Sequence, residues 1–471
     1  MPETDKPLLA HLLRRAGFGA TFQELDRYSQ LRYEAVVNQL LHPELQPAIE
    51  EDVLERYYID WKESRNIEGA LTESVYRMNA YAGGRPLQEK IALFWHGVFA
   101  TGLAKVLHEK TMLNQIDLFR EQGLGNFREL LVGLAKDPAM IFWLDNNFNH
   151  KDAPNENWGR ELLELFSLGV GMDGQENFTE GDVQSAARAF TGWTIDDDNV
   201  TSFPFGKLPW RFRYLPDDHD EEEKTFLGHT GNFNGEDIIA IIVKQESTAR
   251  FLATRLFQFF AADEVSKAGE NAVEAMVATY FLSGYKISDM LQTLFLSDYF
   301  KSEEARFARV KGPVEMVVGA IRMAGNYQNP SLGIEKVSDN MFFMGQGLLR
   351  PPTVEGWHEG VEWIDSGALV ERVNFVAKVL SDVKSPGVRS IIDWLEAGAD
   401  DGVLNPSDLA DGCLDLLGPI QVSDETRSVL VDYAARHGDL DLNGHQPGDQ
   451  AEQRVGNMLR LVAATREYQL A

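Results

Sequence analysis

The sequence predicts a mainly α fold, a multi-helix globular protein with one small β-hairpin insertion. Apolar residues recur at helical spacing along most of the chain. Helix-starting and helix-stopping residues punctuate that periodicity, and strand-like alternation is confined to one region. The 471 residues are 44% hydrophobic, enough to bury a large core.

Leu8 to Arg15 forms a first helix, ended by Gly17 and Gly19. Thr21 with Glu24 three residues on is a capping box for the second, and His42-Pro43 stops the third. Pro86 suits a first helical turn, and Leu87, Ile91, Phe94, Trp95 and Val98 trace a buried stripe behind it. Lys105 to Glu121, Asn126 to Ala135 and Pro138 to Leu144 are further helices. The Asn-rich loop 145–150 leads into a helix over Pro154 to Gly169, and Thr179 with Asp182 starts the next. The texture changes between 194 and 234, where Phe205 and other aromatics mix with glycines. There Trp210 to Tyr214 alternates as a strand does, with Lys224 to Gly228 as its expected partner. Helices resume at Gly235 to Phe260, Asn271 to Leu282, Ser288 to Leu296, Pro313 to Ala324 and Ser366 to Leu380. Residues 1–383 are expected to form the main helical domain, and 384–471 a smaller C-terminal lobe of three or four helices packed on it.

The formal net charge is −29, a field that repels nucleic acid and anionic membrane surfaces. Acidity of this kind supports solubility and gives a weaker pointer to cationic ligands or a divalent metal. Cys413 is the one cysteine, so no internal disulfide and no thiolate metal cluster can form. The polar start Met1 to Lys6 lacks the pattern of a secretory signal, and the apolar run Ile238 to Val243 is far too short to span a bilayer. The expectation is a soluble, cytoplasmic protein.

The helix over Pro154 to Gly169 carries the densest chemistry. Leu162, Leu165, Phe166 and Gly169 share one face. Asn157, Arg160, Glu161 and Glu164 share the other, where Arg160 can meet Glu156 and Glu164. Glu161 and Glu164 are candidate acid–base groups or ligands for a divalent cation. Equally, Arg160 and Arg188 can neutralise them inside the fold, as buried carboxylates require.

Several segments in series resemble a bacterial family, catalogued as domain of unknown function 1800 (DUF1800). They are His11 to Gly19, Phe94 to Gly97, Asp137 to Met140, Pro154 to Gly169, Phe178 to Val183 and Ala187 to Trp193. His219-Asp220, Lys224, Leu227-Gly228, Pro351-Pro352, Gly356-Trp357, Trp363 and Glu467 to Gln469 complete the set. The resemblance spans nearly the whole chain and implies no settled activity. It does imply an association with exported bacterial proteins and with a sulfatase-like protein partner. The chain departs from the pattern at Val98, where relatives commonly carry a second histidine.

Each remaining candidate has two readings. His96 is a metal ligand or a hydrogen-bonded core histidine, and His219 with Asp220 is a cation-holding turn or a solvated one. Arg14 and Arg15 offset the helix dipole, or form an anion or cofactor pocket with the Gly17-Phe18-Gly19 backbone. Trp357 and Trp363 stack on a planar ligand or clasp the loop to the body. Together they suggest a metal-assisted hydrolase centred on the helix Asn155–Leu168, with Glu161 and Glu164 as ligands or acid–base groups and His96 and His219 completing the site. The alternative is a non-catalytic binding or accessory protein that acts beside a partner enzyme.

Overall fold

Helices α1 (Lys6–Arg15), α2 (Phe22–Ser29) and α3 (Tyr33–Leu41) match the local signals closely. The Thr21 side chain accepts from the Glu24 N–H, and the Glu24 carboxylate accepts from the Thr21 N–H at 2.9 Å. The computed structural model describes residues 5–47, 49, 67–79, 85–172, 175–196, 210–329, 333–444, 446 and 448–471. After α4 (Ile67–Asn79), helix α5 (Pro86–Val98) begins at its proline, and its expected stripe of Leu87, Ile91, Phe94, Trp95 and Val98 is buried. Trp95 stacks on Phe99 and donates its indole N–H to Gly123 O at 2.9 Å.

The expected helix Lys105–Glu121 is two pieces. A short turn, Leu103–Val106, ends at Leu107 in the left-handed region, and His108 caps α6 (Glu109–Gln122) by accepting from the Thr111 N–H. Next come α7 (Phe127–Ala135) and α8 (Pro138–Trp143). Helix α9 covers only Asn157–Glu164 of the expected Pro154–Gly169. Asn155 caps its first N–H, and beyond Glu164 the Leu168 and Gly169 amides reach back to Leu163 O, closing the helix at a left-handed Gly169. Thr179 and Asp182 then cap α10 (Glu180–Ala189) as their spacing predicts.

The predicted hairpin pairs differently. Strands β1 (Gly171–Met172) and β2 (Gln175–Glu176) precede it. The expected pairing of Trp210–Tyr214 with Lys224–Gly228 does not form. Instead β4 (Phe212–Tyr214) pairs with β3 (Trp193–Ile195), and β5 (Lys224–Phe226) with β6 (His229–Gly231). Leu227 and Gly228 both take positive φ, and this two-residue turn folds β5 back onto β6. Phe205 lies outside the described residues.

The expected helix Gly235–Phe260 breaks into α11 (Gly235–Ile242) and α12 (Glu246–Phe260). Thr248 Oγ1 and Tyr280 Oη take the freed Ile242 and Val243 carbonyls. Farther along are α13 (Lys267–Leu282), α14 (Ile287–Leu296), α15 (Pro313–Met323) and α16 (Ser366–Leu380). Among the described residues, the C-terminal stretch holds the helices α17 (Pro386–Gly398), α18 (Pro406–Leu416), α19 (Asp424–Ala435) and α20 (Gln450–Ala463). It also holds a strand pair, β7 (Val403–Leu404) with β8 (Leu440–Asp441), that the sequence does not signal. Among the described residues, no helix is long and apolar enough to cross a membrane.

Helix α15 joins two cores. Met316, Ala320 and Met323 pack with α16 to α20 around the buried Cys413. Val314, Val317 and Ile321 pack with Phe18, Trp357 and Trp363. At its start, the buried Glu315 carboxylate accepts from Lys90 Nζ, Arg309 Nη1 and the Gly312 N–H. Lys90 also donates to Gly17 O at 2.8 Å, and Arg15 donates to Phe259 O and Phe260 O at 3.0 Å each. Burial favours the neutral acid, but Arg309, Lys90 and Arg15 outweigh it and hold Glu315 far below the usual carboxylate range.

Glu315→Ala should therefore cost about 3–5 kcal/mol in denaturant unfolding, since it leaves buried cations without their anion. The wild-type contribution is complete above the unfolded carboxylate pKa and is lost as pH falls below it. A loss under about 1 kcal/mol would show that the cluster is not essential.

Candidate functional site

The polar face of α9 is positioned by its apolar back. Trp158, Leu162, Leu163 and Phe166 are buried, and Trp158 meets Phe166 and Phe190 ring to ring. Gly159 lets α10 come close, because a Cβ there would stand 3.1 Å from Ala187 N and Val183 O. The Asn-rich loop fixes the approach. Asn146 Nδ2 donates to Trp193 O, Asn149 Nδ2 donates to Ala187 O, and Asn149 Oδ1 accepts from the Asn155 N–H, each at 2.8 Å.

The arginines are spent on joints. Arg160 donates to both Glu180 oxygens at 2.7 and 2.8 Å and to Glu156 at 3.1 Å, tying α9 to α10. The expected Glu156 contact is present, and the Glu164 contact is replaced by Glu180. Arg188 grips Asp220 through two bonds of 2.6 and 3.1 Å. Asp220 is buried enough to favour its neutral form, yet Arg188 and its neighbours hold it below the usual range. His219 is buried and donates Nδ1–H to Thr191 O at 2.9 Å, while Lys224 donates to the Asp220 and Glu222 carbonyls. The acidic turn is thus a clasp on the end of α10. Asn157 is exposed at the first turn of α9.

Glu161 and Glu164 are half-buried, and neither forms a side-chain bond to another described residue. Burial raises the Glu161 carboxyl above its usual range, and repulsion from Glu164 and Glu355 adds to this against the pull of Arg160. No sequence signal marks Glu355 itself, although it adjoins the Gly356-Trp357 motif. Its loop is seated on α5. Gly356 has φ +93°, and a Cβ there would meet Gly97 O at 2.3 Å. Trp357 packs edge-on against His96, centroids 5.0 Å apart.

His96 is buried, accepts the Leu349 N–H at Nε2 (3.2 Å), and has its pKa lowered to about 4 by burial. It fixes the loop that carries Glu355 and makes no bond to Glu161 or Glu164. The suggested ligands His96, His219 and Asp220 thus have separate surroundings. Among the described residues no group of three or more His, Cys, Asp or Glu is placed to hold a metal ion. Arg14 and Arg15 also diverge: Arg15 serves the end of α12, whereas Arg14 lines a pocket with Lys311. Lys311 and the Glu315 cluster escape sequence reading because no local spacing announces them.

A family model described as "Protein of unknown function (DUF1800)" matches residues 11–470. No curated protein and no solved structure matches the chain.

Raising Glu161 in the folded state means that the folded chain holds this proton more tightly, so its contribution to stability falls as pH rises through the folded pKa. Glu161→Gln should gain melting temperature on wild type between about pH 4 and about pH 8. Parallel profiles for the two proteins would show that Glu161 is unperturbed.

Proposed function

We propose that this chain, which belongs to the DUF1800 family, performs acid–base chemistry on the outer face of α9, with hydrolysis as its reaction class. One observation carries the reading. Glu161 lies near two further carboxylates, Glu164 and Glu355, with no basic group committed to them, whereas Glu156, Glu180 and Asp220 are engaged by Arg160 and Arg188. Uncompensated carboxylates cost stability, and such a cost is characteristic of working sites.

Glu161, its carboxyl raised by burial and by its acidic neighbours, suits the proton donor's role in such a cluster. Glu161 donates to a leaving atom, and Glu164 or Glu355 accepts a proton from the attacking water. Arg160 and Arg188 act as positioning residues through the joints they hold. Asn157, exposed at the start of the helix, supplies a polar contact for substrate. These proton transfers call on no divalent cation, and Glu161, Glu164 and Glu355 are not placed to hold one between them.

The second reading is a non-catalytic accessory protein beside a partner enzyme such as a sulfatase-like protein. The use of both arginines as joints favours it.

The test is a panel of chromogenic carboxylic, phosphoric and sulfuric esters and glycosides. With a turned-over substrate, Glu161→Gln should lower kcat by about 10²–10⁴ while the protein stays folded. Glu274→Gln, which loosens only the exposed Arg250 pair between α12 and α13, should keep the wild-type rate. Turnover indifferent to both Glu161→Gln and Glu164→Gln, or none across the panel, overturns the hydrolytic reading.

A further inference from the structure

The two ends of the chain's family-like motifs meet far from α9 in sequence. Arg14 and Phe18, from the first motif, and Tyr468, from the last, line one pocket together with Lys311 and Met323. Arg14 gives one N–H to Gly418 O at 2.7 Å and lies over the Phe307 ring, while its buried Nε has no partner among the described residues. Lys311 Nζ donates to Tyr468 O at 2.7 Å and lies 4.2 Å from the centre of the Tyr468 ring. Both cations are therefore bonded to neutral groups. Glu315 borders the same pocket, but its carboxylate is already taken by Lys90, Arg309 and the Gly312 N–H. Behind Lys311 stands a third cation, Arg372, which donates to Lys311 O and Gln469 Oε1.

Cations gathered out of water call for an anion. In a chain of net charge −29 this local surplus is against the trend of the whole surface. Burial, with Arg14 and Arg372 nearby, pushes the Lys311 ammonium far below its usual range against the pull of Glu315, and an anion bound beside it would favour its charged form. The remaining wall is mostly apolar, which suits a carbon chain better than bare phosphate. The volume is about 50 Å³, room for roughly three to five waters and so for a short ligand only.

We propose that this pocket binds a short organic carboxylate, its head between Arg14 and Lys311 and its tail against Met323 and the neighbouring apolar wall. The site is separate from α9, and either can fail without the other.

Calorimetry and saturation-transfer NMR on the full chain, with butyrate, butanol, butylamine and inorganic phosphate, test it. Butyrate should bind at least about tenfold more tightly than the other three, and Lys311→Met and Arg14→Gln should each weaken it by about tenfold or more. Gly319→Ala is the control for folding. It adds a methyl to the pocket wall with only Phe18 O within 4 Å, at 3.4 Å, and leaves every charge in place. It should weaken butyrate while raising or preserving the melting temperature. No butyrate binding, phosphate or butanol binding as tightly, or affinity unchanged in Gly319→Ala and in whichever charge variants fold, overturns the proposal.

Discussion

The carboxylate of Glu315 is the constraint on which the rest of the structure depends. It binds Lys90 of α5 and Arg309 of the segment before α15, and through Lys90 it reaches the turn after α1. Arg15, in the same electrostatic cluster, holds the end of α12. Four distant parts of the chain are thus referred to one buried anion. Apolar packing is tolerant of small slides, whereas a charge in a low-dielectric interior is not. The cluster sets where α15 lies, and α15 in turn joins the two cores that meet on it.

The arginines do for the surface what Glu315 does for the interior. Arg160 and Arg188 each hold one element to another, and the histidines nearest the polar regions serve the backbone. His96 accepts the Leu349 N–H and His219 donates an N–H to the Thr191 carbonyl. Among the described residues, the carboxylates around Glu161 and the cations around Lys311 are two places where charge of one sign gathers without a bonded complement.

What is legible in the sequence is local. The capping boxes Thr21/Glu24 and Thr179/Asp182, the Pro86 start and the α5 stripe depend on residues within a few positions of one another, and they stand as their spacing predicts. Interruptions decided from afar are not legible. The break between α11 and α12 relies on Tyr280, a residue of another helix, to satisfy Val243 O. The strand partners differ from expectation because alternation marks a strand without naming its neighbour. The candidate site divides the same way: Arg160 with Glu156 obeys helical spacing, but Glu180, Glu355 and Lys311 take their roles from folds of the chain that no short window contains.

Cys413 has a consequence of its own. Its thiol is wholly enclosed in the core of the C-terminal helices, where burial keeps it protonated. Reagents that need a thiolate therefore meet nothing to react with until those helices part. The speed at which the native chain is alkylated is then a gauge of how often its C-terminal half breathes, with no label to introduce and no competing sulfhydryl to subtract.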